Sequence, residues 1–353
     1  MNDITIQCEP VKNTPLPDTP QEKPKKPTFV PPPVIPTQEA VSDIRFDFNN
    51  GFRVLFPERG EYRCVFRDLD TGCLLYSMDV KPGCTVESVK KYYVRFSLEI
   101  YRSYALDEPI FRHDFDLTGK DVLIQIPEGA LGDAIAWFSC VERFQKRHNC
   151  KLFCSMEPRI AEIFRKQYPD ITLVTRQEAE KLKPYATNHL GLFFQGDVDH
   201  QPVDFRYIGL HRTAGYILNV DPADLPPRFN LSAPRRIKEP YVCIAAQSSS
   251  QAKYWNNPRG WIEVVKFLKE SGYRVLCIDR EQVHGTGINY NTIPYGTEDF
   301  TGDRPLQERV DLIKDADFFI GLSSGLSWIA WGCRVPVVMI SGFTHPTNEF
   351  QTP

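Results

Sequence analysis

Twice along this chain, a continuous apolar run gives way to a loop bearing glycine or serine and then to a stretch of helical period. DVLIQI (121–126) leads through PEGALGD into AIAWFSCVERFQKRH, and YVCIAA (241–246) leads through a long polar loop into WIEVVKFLKE. An unbroken apolar run buries both faces of a strand, which points to parallel sheets covered by helices. The alternation continues through CKLFCSM, ITLVT and HLGLFF after the first start, and through YRVLCI, DFFIGL and VPVVMIS after the second. Helical stretches such as PRIAEIFRKQY and LQERVDLIKDA lie between them. Two open, Rossmann-like α/β sheets in series are expected, over 119–236 and 237–353. Ligands of such sheets bind at the carboxyl ends of the strands, so two facing units would share one cleft.

The preceding residues follow a different pattern. From Ile44 to Leu117 short alternating runs (FRVLF, YRCVF, CLLYSMDV, YYVRFSLEI) are separated by Gly, Asp and Pro, the signature of a small antiparallel β-rich unit over 41–118. Residues 1–40 hold EKPKKP and PPPVIP and can bury little, so a disordered Pro-rich tail is expected there. At the other end the last expected strand stops near Ser341 with no closing helix, and the natural chain is expected to run on beyond Pro353.

The formal net charge of −3 gives no electrostatic footprint for nucleic acid or for a membrane surface. No stretch approaches the roughly 18 to 20 apolar residues that span a bilayer, and MNDITIQCEP lacks the basic start and apolar core of a secretion signal. A cytoplasmic location is expected. Cysteines such as Cys243 and Cys277 lie inside apolar runs and read as small buried hydrophobes. Cys150 and Cys154 have no partner set at zinc-site spacing, so no metal is assigned to them.

Three loops could carry chemistry. In PEGALGDAIAW (127–137), Asp133 falls where a helix begins at a strand's carboxyl end. It reads either as a helix cap or as a carboxylate facing the cleft that takes a proton from an attacking hydroxyl. In QSSSQAKYWNNPRGW (247–261), Lys253 offers a point charge for phosphate beside the hydroxyls of Ser248, Ser249 and Ser250, while Trp255 and Trp261 read as packing anchors. In GLSSGLSWIAWG (321–332) the amides of residues 324–327 would be the open donors of a helix start, attractive to phosphate, and Ser323 or Ser324 could equally be a cap. Asp279 and Glu281 of CIDRE could accept from ribose hydroxyls or form a solvated turn. The chain lacks GxGxxG in these loops and GxxxxGK[ST], which argues against a dinucleotide dehydrogenase and a P-loop nucleotidase.

The combination of ALGD before a helix, KYWNNPRGW and ADFFIGLSSGLSW resembles the ADP-heptose-dependent glycosyltransferases. VDFRYIGLHRTAGYILNVDP, SQAKYWN, EDFTGDRPLQERV and SGLSWIAW are similar to the bacterial autotransporter heptosyltransferases among them. The resemblance implies a GT-B fold of two facing Rossmann-like domains behind a small β-rich domain. It also implies transfer of heptose from ADP-heptose to serine hydroxyls of an autotransporter adhesin, in the cytoplasm, by a large homo-oligomer. Asp133 takes the place of the catalytic aspartate, beside Gly132, and Lys253 that of the diphosphate-binding lysine. Ser323, Ser324, Gly325, Leu326 and Ser327 fall in the phosphate loop, with Ser248 and Asp279 nearby. Ser323, Ser324 and Trp328 stand where lipopolysaccharide heptosyltransferases carry Asp, Thr and His, which fits the protein-modifying branch. No cofactor is expected within this chain; the resemblance implies a structural iron held by cysteines beyond residue 353. A lipopolysaccharide core heptosyltransferase and a non-catalytic sugar-nucleotide-binding subunit stand as the rival readings.

Overall fold

The computed structural model describes residues 28–194, 196–286 and 289–342. Residues 1–27, the larger part of the expected tail, and 343–353 lie outside the described residues. The N-terminal part forms the strands β1 (Gln38–Glu39), β2 (Arg45–Asn49), β3 (Arg53–Leu55), β4 (Tyr62–Asp68), β5 (Leu74–Val80), β6 (Thr85–Glu87), β7 (Phe96–Arg102) and β8 (Phe111–Asp114). Next come β9 (Asp121–Gln125), α1 (Leu131–His148), β10 (Lys151–Ser155), α2 (Pro158–Arg165), β11 (Ile171–Val174), α3 (Arg176–Ala179), β12 (Ala186–His189), α4 (Phe205–Ile208) and α5 (Leu210–Ile217). The second α/β unit holds β13 (Tyr241–Ala245), α6 (Gly260–Glu270), β14 (Arg274–Cys277), the hairpin β15 (Val283–Thr286) and β16 (Asn289–Thr292), β17 (Glu298–Asp299), α7 (Leu306–Ile313), β18 (Phe318–Leu322), α8 (Gly325–Gly332) and β19 (Val337–Ile340).

Both α/β units are wound alike. The parallel strands of the first run in the order β11-β10-β9-β12, and those of the second in the order β17-β14-β13-β18-β19. Each begins on an inner strand, works outward to one side, then crosses to the other. A crevice therefore opens at the carboxyl ends between β9 and β12, and between β13 and β18. The apolar runs follow the burial they predict, since every residue of β13 is buried. α1 packs through Phe138 onto Phe164 of α2, with ring centroids 4.1 Å apart.

Three departures from the sequence expectation have physical causes. The β-rich unit is not separate. β2 pairs in parallel with β12 (Phe48 with Ala186, Asn49 with Thr187), so β2, β3 and β6 extend the first α/β sheet to eight strands including β1. Only β5-β4-β7-β8 form a sheet of their own. The strand expected in HLGLFF lies upstream, at Ala186–His189. Thr187 and Asn188 disguise it: both are buried, and the Thr187 hydroxyl donates to Asn49 Oδ1 at 2.7 Å, so that buried hydroxyl is satisfied across the sheet. Third, residues 28–39 of the expected tail are bound. Val30 is buried, Thr37 Oγ1 donates to the Pro184 carbonyl at 2.8 Å, and Arg45 Nε donates to the Pro36 carbonyl at 2.9 Å. The prolines leave few backbone donors to satisfy, and neighbouring side chains supply the contacts a strand would have made.

Candidate active site

The loop leaving β9 turns into α1 at Ala130, which holds the N-cap position without a side-chain cap bond. Asp133 is therefore three residues into the helix, not the cap, and its half-buried carboxylate lines an interdomain cleft of about 300 Å³. The loop is held from outside by the Gly129 amide, which donates to Glu157 Oε2 at 3.1 Å. Gly132 has a steric reason to be glycine: a methyl there would come within 2.8 Å of Trp328 Cδ1 on α8. Gly325 mirrors it, because a methyl would lie 2.6 Å from Leu131 Cδ2 on α1. Two helix starts, one from each unit, thus abut at the floor of the cleft.

The facing wall is built from the loops after β13 and β18. Lys253 ends a short 3-10 turn (Gln251–Lys253), and its Nζ donates to the Ser323 carbonyl at 3.0 Å, tying the two loops together. Trp255 and Trp261 meet edge to face at 5.4 Å and brace the turn against α6. Ser324 occupies the N-cap position of α8 in extended backbone, yet its side chain makes no cap bond and its buried Oγ has no hydrogen-bond partner. Ser248 Oγ is likewise buried and unpartnered, in an adjoining cavity of about 280 Å³ that also reaches Ser324, Gly325 and Leu326. Unsatisfied buried hydroxyls are costly, and two of them beside a lysine and a helix start mark a place for an acceptor-rich ligand such as phosphate. A carboxylate on one wall facing a cation, hydroxyls and amides on the other suits displacement of an anionic leaving group.

Residues 42–104 match the family of the N-terminal domain of glycosyltransferase TibC, and residues 210–350 match glycosyltransferase family 9, the heptosyltransferases. Autotransporter heptosyltransferase Aah of Escherichia coli is 54% identical over 326 residues, which cover 92% of this chain and 83% of Aah. The chain belongs to the autotransporter heptosyltransferase family. Its fold is GT-B, with a β-rich N-terminal region, and it is a glycosyltransferase. The crystal structure of TibC from Escherichia coli O78:H11, described as dodecameric, iron-containing and in complex with ADP-D-β-D-heptose, superposes with a TM-score of 0.89. Identity there is 51%, over 92% of this chain and 84% of TibC. BimC of Burkholderia thailandensis, described as an inactive autotransporter heptosyltransferase, is 40% identical over 92% of this chain and 76% of its own length.

Within this heptosyltransferase the cleft unites Gly132, Asp133, Lys253, Ser323, Ser324 and Gly325, and the adjoining cavity adds Ser248 and Leu326. Two expected contacts are turned elsewhere. Ser327 Oγ donates to the Leu322 carbonyl at 2.6 Å and its amide donates to the Ser324 carbonyl at 3.1 Å, so both its donors are spent inside the protein. Asp279 is buried, with its oxygens accepting from the amides of Ala246 (2.8 Å) and Gln247 (3.2 Å). Burial pushes the Asp279 pKa up, partly offset by those hydrogen bonds. Its task is to pin the loop after β13, while Glu281 reaches the same cavity with a more exposed carboxylate. The sequence reading also missed Leu192, Phe205 and Leu210, which wall the cleft on the side of Asp133. They carry no local signal, because each looks like an ordinary core position. Arg159 and Arg280 share Asp303 at 2.8 and 3.2 Å, an ion pair linking the two units whose partners are too far apart in sequence to be matched by spacing.

Proposed function

We propose that this heptosyltransferase transfers heptose from ADP-heptose to serine hydroxyls of an autotransporter adhesin, with Asp133 as the base. The observation that carries the reading is one cleft with Asp133 on one wall and Lys253, Ser323 and Ser324 on the other. The diphosphate lies against Lys253, Ser324 Oγ and the amides of Gly325 and Leu326, whose place in the first turn leaves them without an intrahelical carbonyl. The acceptor serine Oγ attacks the anomeric carbon, and its proton passes to Asp133. The bond from that carbon to the phosphate oxygen breaks with its electron pair leaving on ADP. A single displacement inverts the configuration at that carbon. TibC's complex with ADP-D-β-D-heptose supports the donor, and its dodecamer supports assembly of this chain with copies of itself.

TibC is also described as iron-containing. Among the described residues no group of three or more His, Cys, Asp or Glu could hold a metal ion. We place the reaction in the cytoplasm. No helix among the described residues is long and apolar enough to cross a membrane, and all nine described cysteines are free thiols, as a reducing compartment favours.

The test is intact-mass analysis of an adhesin passenger fragment incubated with the protein and ADP-heptose. The passenger gains heptosyl units; a passenger of unchanged mass, beside a lipopolysaccharide core acceptor in the same mixture that gains them instead, would point to the lipopolysaccharide reading. With BimC described as inactive, turnover is the measurement that matters. Ser324→Ala and Ser248→Ala give a finer check. Each removes a hydroxyl that has no partner in the ligand-free protein, so thermal stability is unchanged or slightly raised. Each nevertheless weakens ADP-heptose binding by roughly 2- to 15-fold, the worth of one hydrogen bond. Calorimetric titration of both variants that returned wild-type affinity would remove these hydroxyls from the donor site.

A further inference from the structure

The crevice between β9 and β12 is where an open α/β sheet would hold its ligand, and here the chain's own residues 28–30 occupy it. At the end of β9 the side-chain amide of Gln125 clamps the backbone of Val30 from both sides. Val30 N–H donates to Gln125 Oε1 at 2.8 Å, and Gln125 Nε2 donates to the Val30 carbonyl at 3.0 Å. At the end of β12 the Phe29 ring stacks on His189 with centroids 4.2 Å apart and planes 5° from parallel. Burial lowers the His189 pKa to about 3, so the stacked ring is neutral. Arg176 of α3 donates to the carbonyls of Thr28 and Phe29 at 3.2 and 3.3 Å. Phe29 also closes on Gly191, where a methyl would lie 3.2 Å from Phe29 Cζ, and the next residue, Leu192, lines the cleft that holds Asp133.

We infer that this strap, Thr28 to Val30, is a positioning element for the acceptor: it fills the first crevice and sets the wall at Leu192 against which the acceptor polypeptide lies. The inference rests on the cleft serving the reaction proposed above. The strap acts on the wall and not on the base. The Asp133 loop has anchors of its own, the Gly129 bond to Glu157 and the contact of Gly132 with Trp328, and the donor loops belong to the other unit. Loosening the strap therefore separates acceptor recognition from donor binding and chemistry.

Two variants loosen it differently. Phe29→Ala removes the stacked ring, and Arg176→Gln releases the two strap carbonyls without opening the core. Both raise the KM for the adhesin passenger about tenfold, as a modest change of pocket shape does, and leave kcat at saturating passenger and KM for ADP-heptose within about twofold of wild type. An unchanged passenger KM in both variants overturns the inference, as does a parallel loss in donor and acceptor parameters. The same comparison is made by binding, with the passenger titrated into Asp133→Asn protein with and without Phe29→Ala. There the passenger Kd rises about tenfold, and an equal Kd overturns the inference even if the role given to Asp133 is wrong. Conversely, wild-type protein that binds the passenger but transfers no heptose sinks the functional reading while the Kd comparison still decides the strap.

Discussion

Asp133→Asn slows transfer to the adhesin passenger by roughly 10²- to 10⁴-fold, the range over which a positioned proton acceptor contributes, and leaves ADP affinity nearly unchanged. The side chain keeps its shape and loses only its charge and basicity, so α1 and the contact of Gly132 with Trp328 stay in place. Carboxylates are weak bases at neutral pH, so the proposed mechanism requires that the proton of the serine hydroxyl leave late, after the bond to the leaving diphosphate has begun to stretch. The loss therefore falls on kcat rather than on donor KM, because the carboxylate is needed only as the transition state forms. Single-turnover rates at saturating donor and passenger are the measurement. A variant that transfers at near wild-type rate takes Asp133 out of the chemistry.

Lys253→Ala has the second large effect, and on the opposite term. A charge-assisted contact to phosphate is worth about 1.5 to 3 kcal/mol, so affinity for ADP-heptose drops roughly 10- to 150-fold. Part of the loss is indirect, because Lys253 Nζ also ties the loop after β13 to the Ser323 carbonyl, and the phosphate loop loses that tie. Lys253→Arg does not restore the affinity. The ammonium meets the Ser323 carbonyl at 3.0 Å on a short turn, and a longer planar guanidinium does not fit that point. Titration of both variants with ADP-heptose decides the matter, and an unchanged dissociation constant for Lys253→Ala contradicts its place at the diphosphate.

What could be read in advance was what repeats locally. The runs DVLIQI and YVCIAA announce buried parallel strands, and the loops after them bring Asp133 and Lys253 to one cleft because both follow the first strand of a sheet wound the same way. Nonlocal pairings were out of reach. Asp279 and Glu281 look alike as two acids in one turn, and only the fold shows that Asp279 spends its oxygens on the Ala246 and Gln247 amides. Ser323, Ser324 and Ser327 look equally available, yet a carbonyl five residues upstream takes Ser327. The strand Ala186–His189 escapes an apolar-run search because Thr187 and Asn188 break the run, and the partner of the buried Thr187 hydroxyl, Asn49, is far off in sequence. Proline content led the strap at 28–30 to be read as part of the tail, although Gln125 and Arg176 supply the hydrogen bonds that hold it.

The parallel pairing of β12 with β2 bears on how this protein can be divided. A cut near residue 118, where the amino-acid pattern changes, would pass through no regular element but would strip β2, β3 and β6 from the larger sheet. The C-terminal fragment would then present β12 as a naked edge, with the Tyr185 and Thr187 carbonyls that the Phe48 and Asn50 amides now satisfy left open to any other strand. Its Thr187 hydroxyl would also lose Asn49. Such a fragment invites strand-to-strand self-association and aggregates, so the catalytic half carries its N-terminal partner as the cover of its own edge.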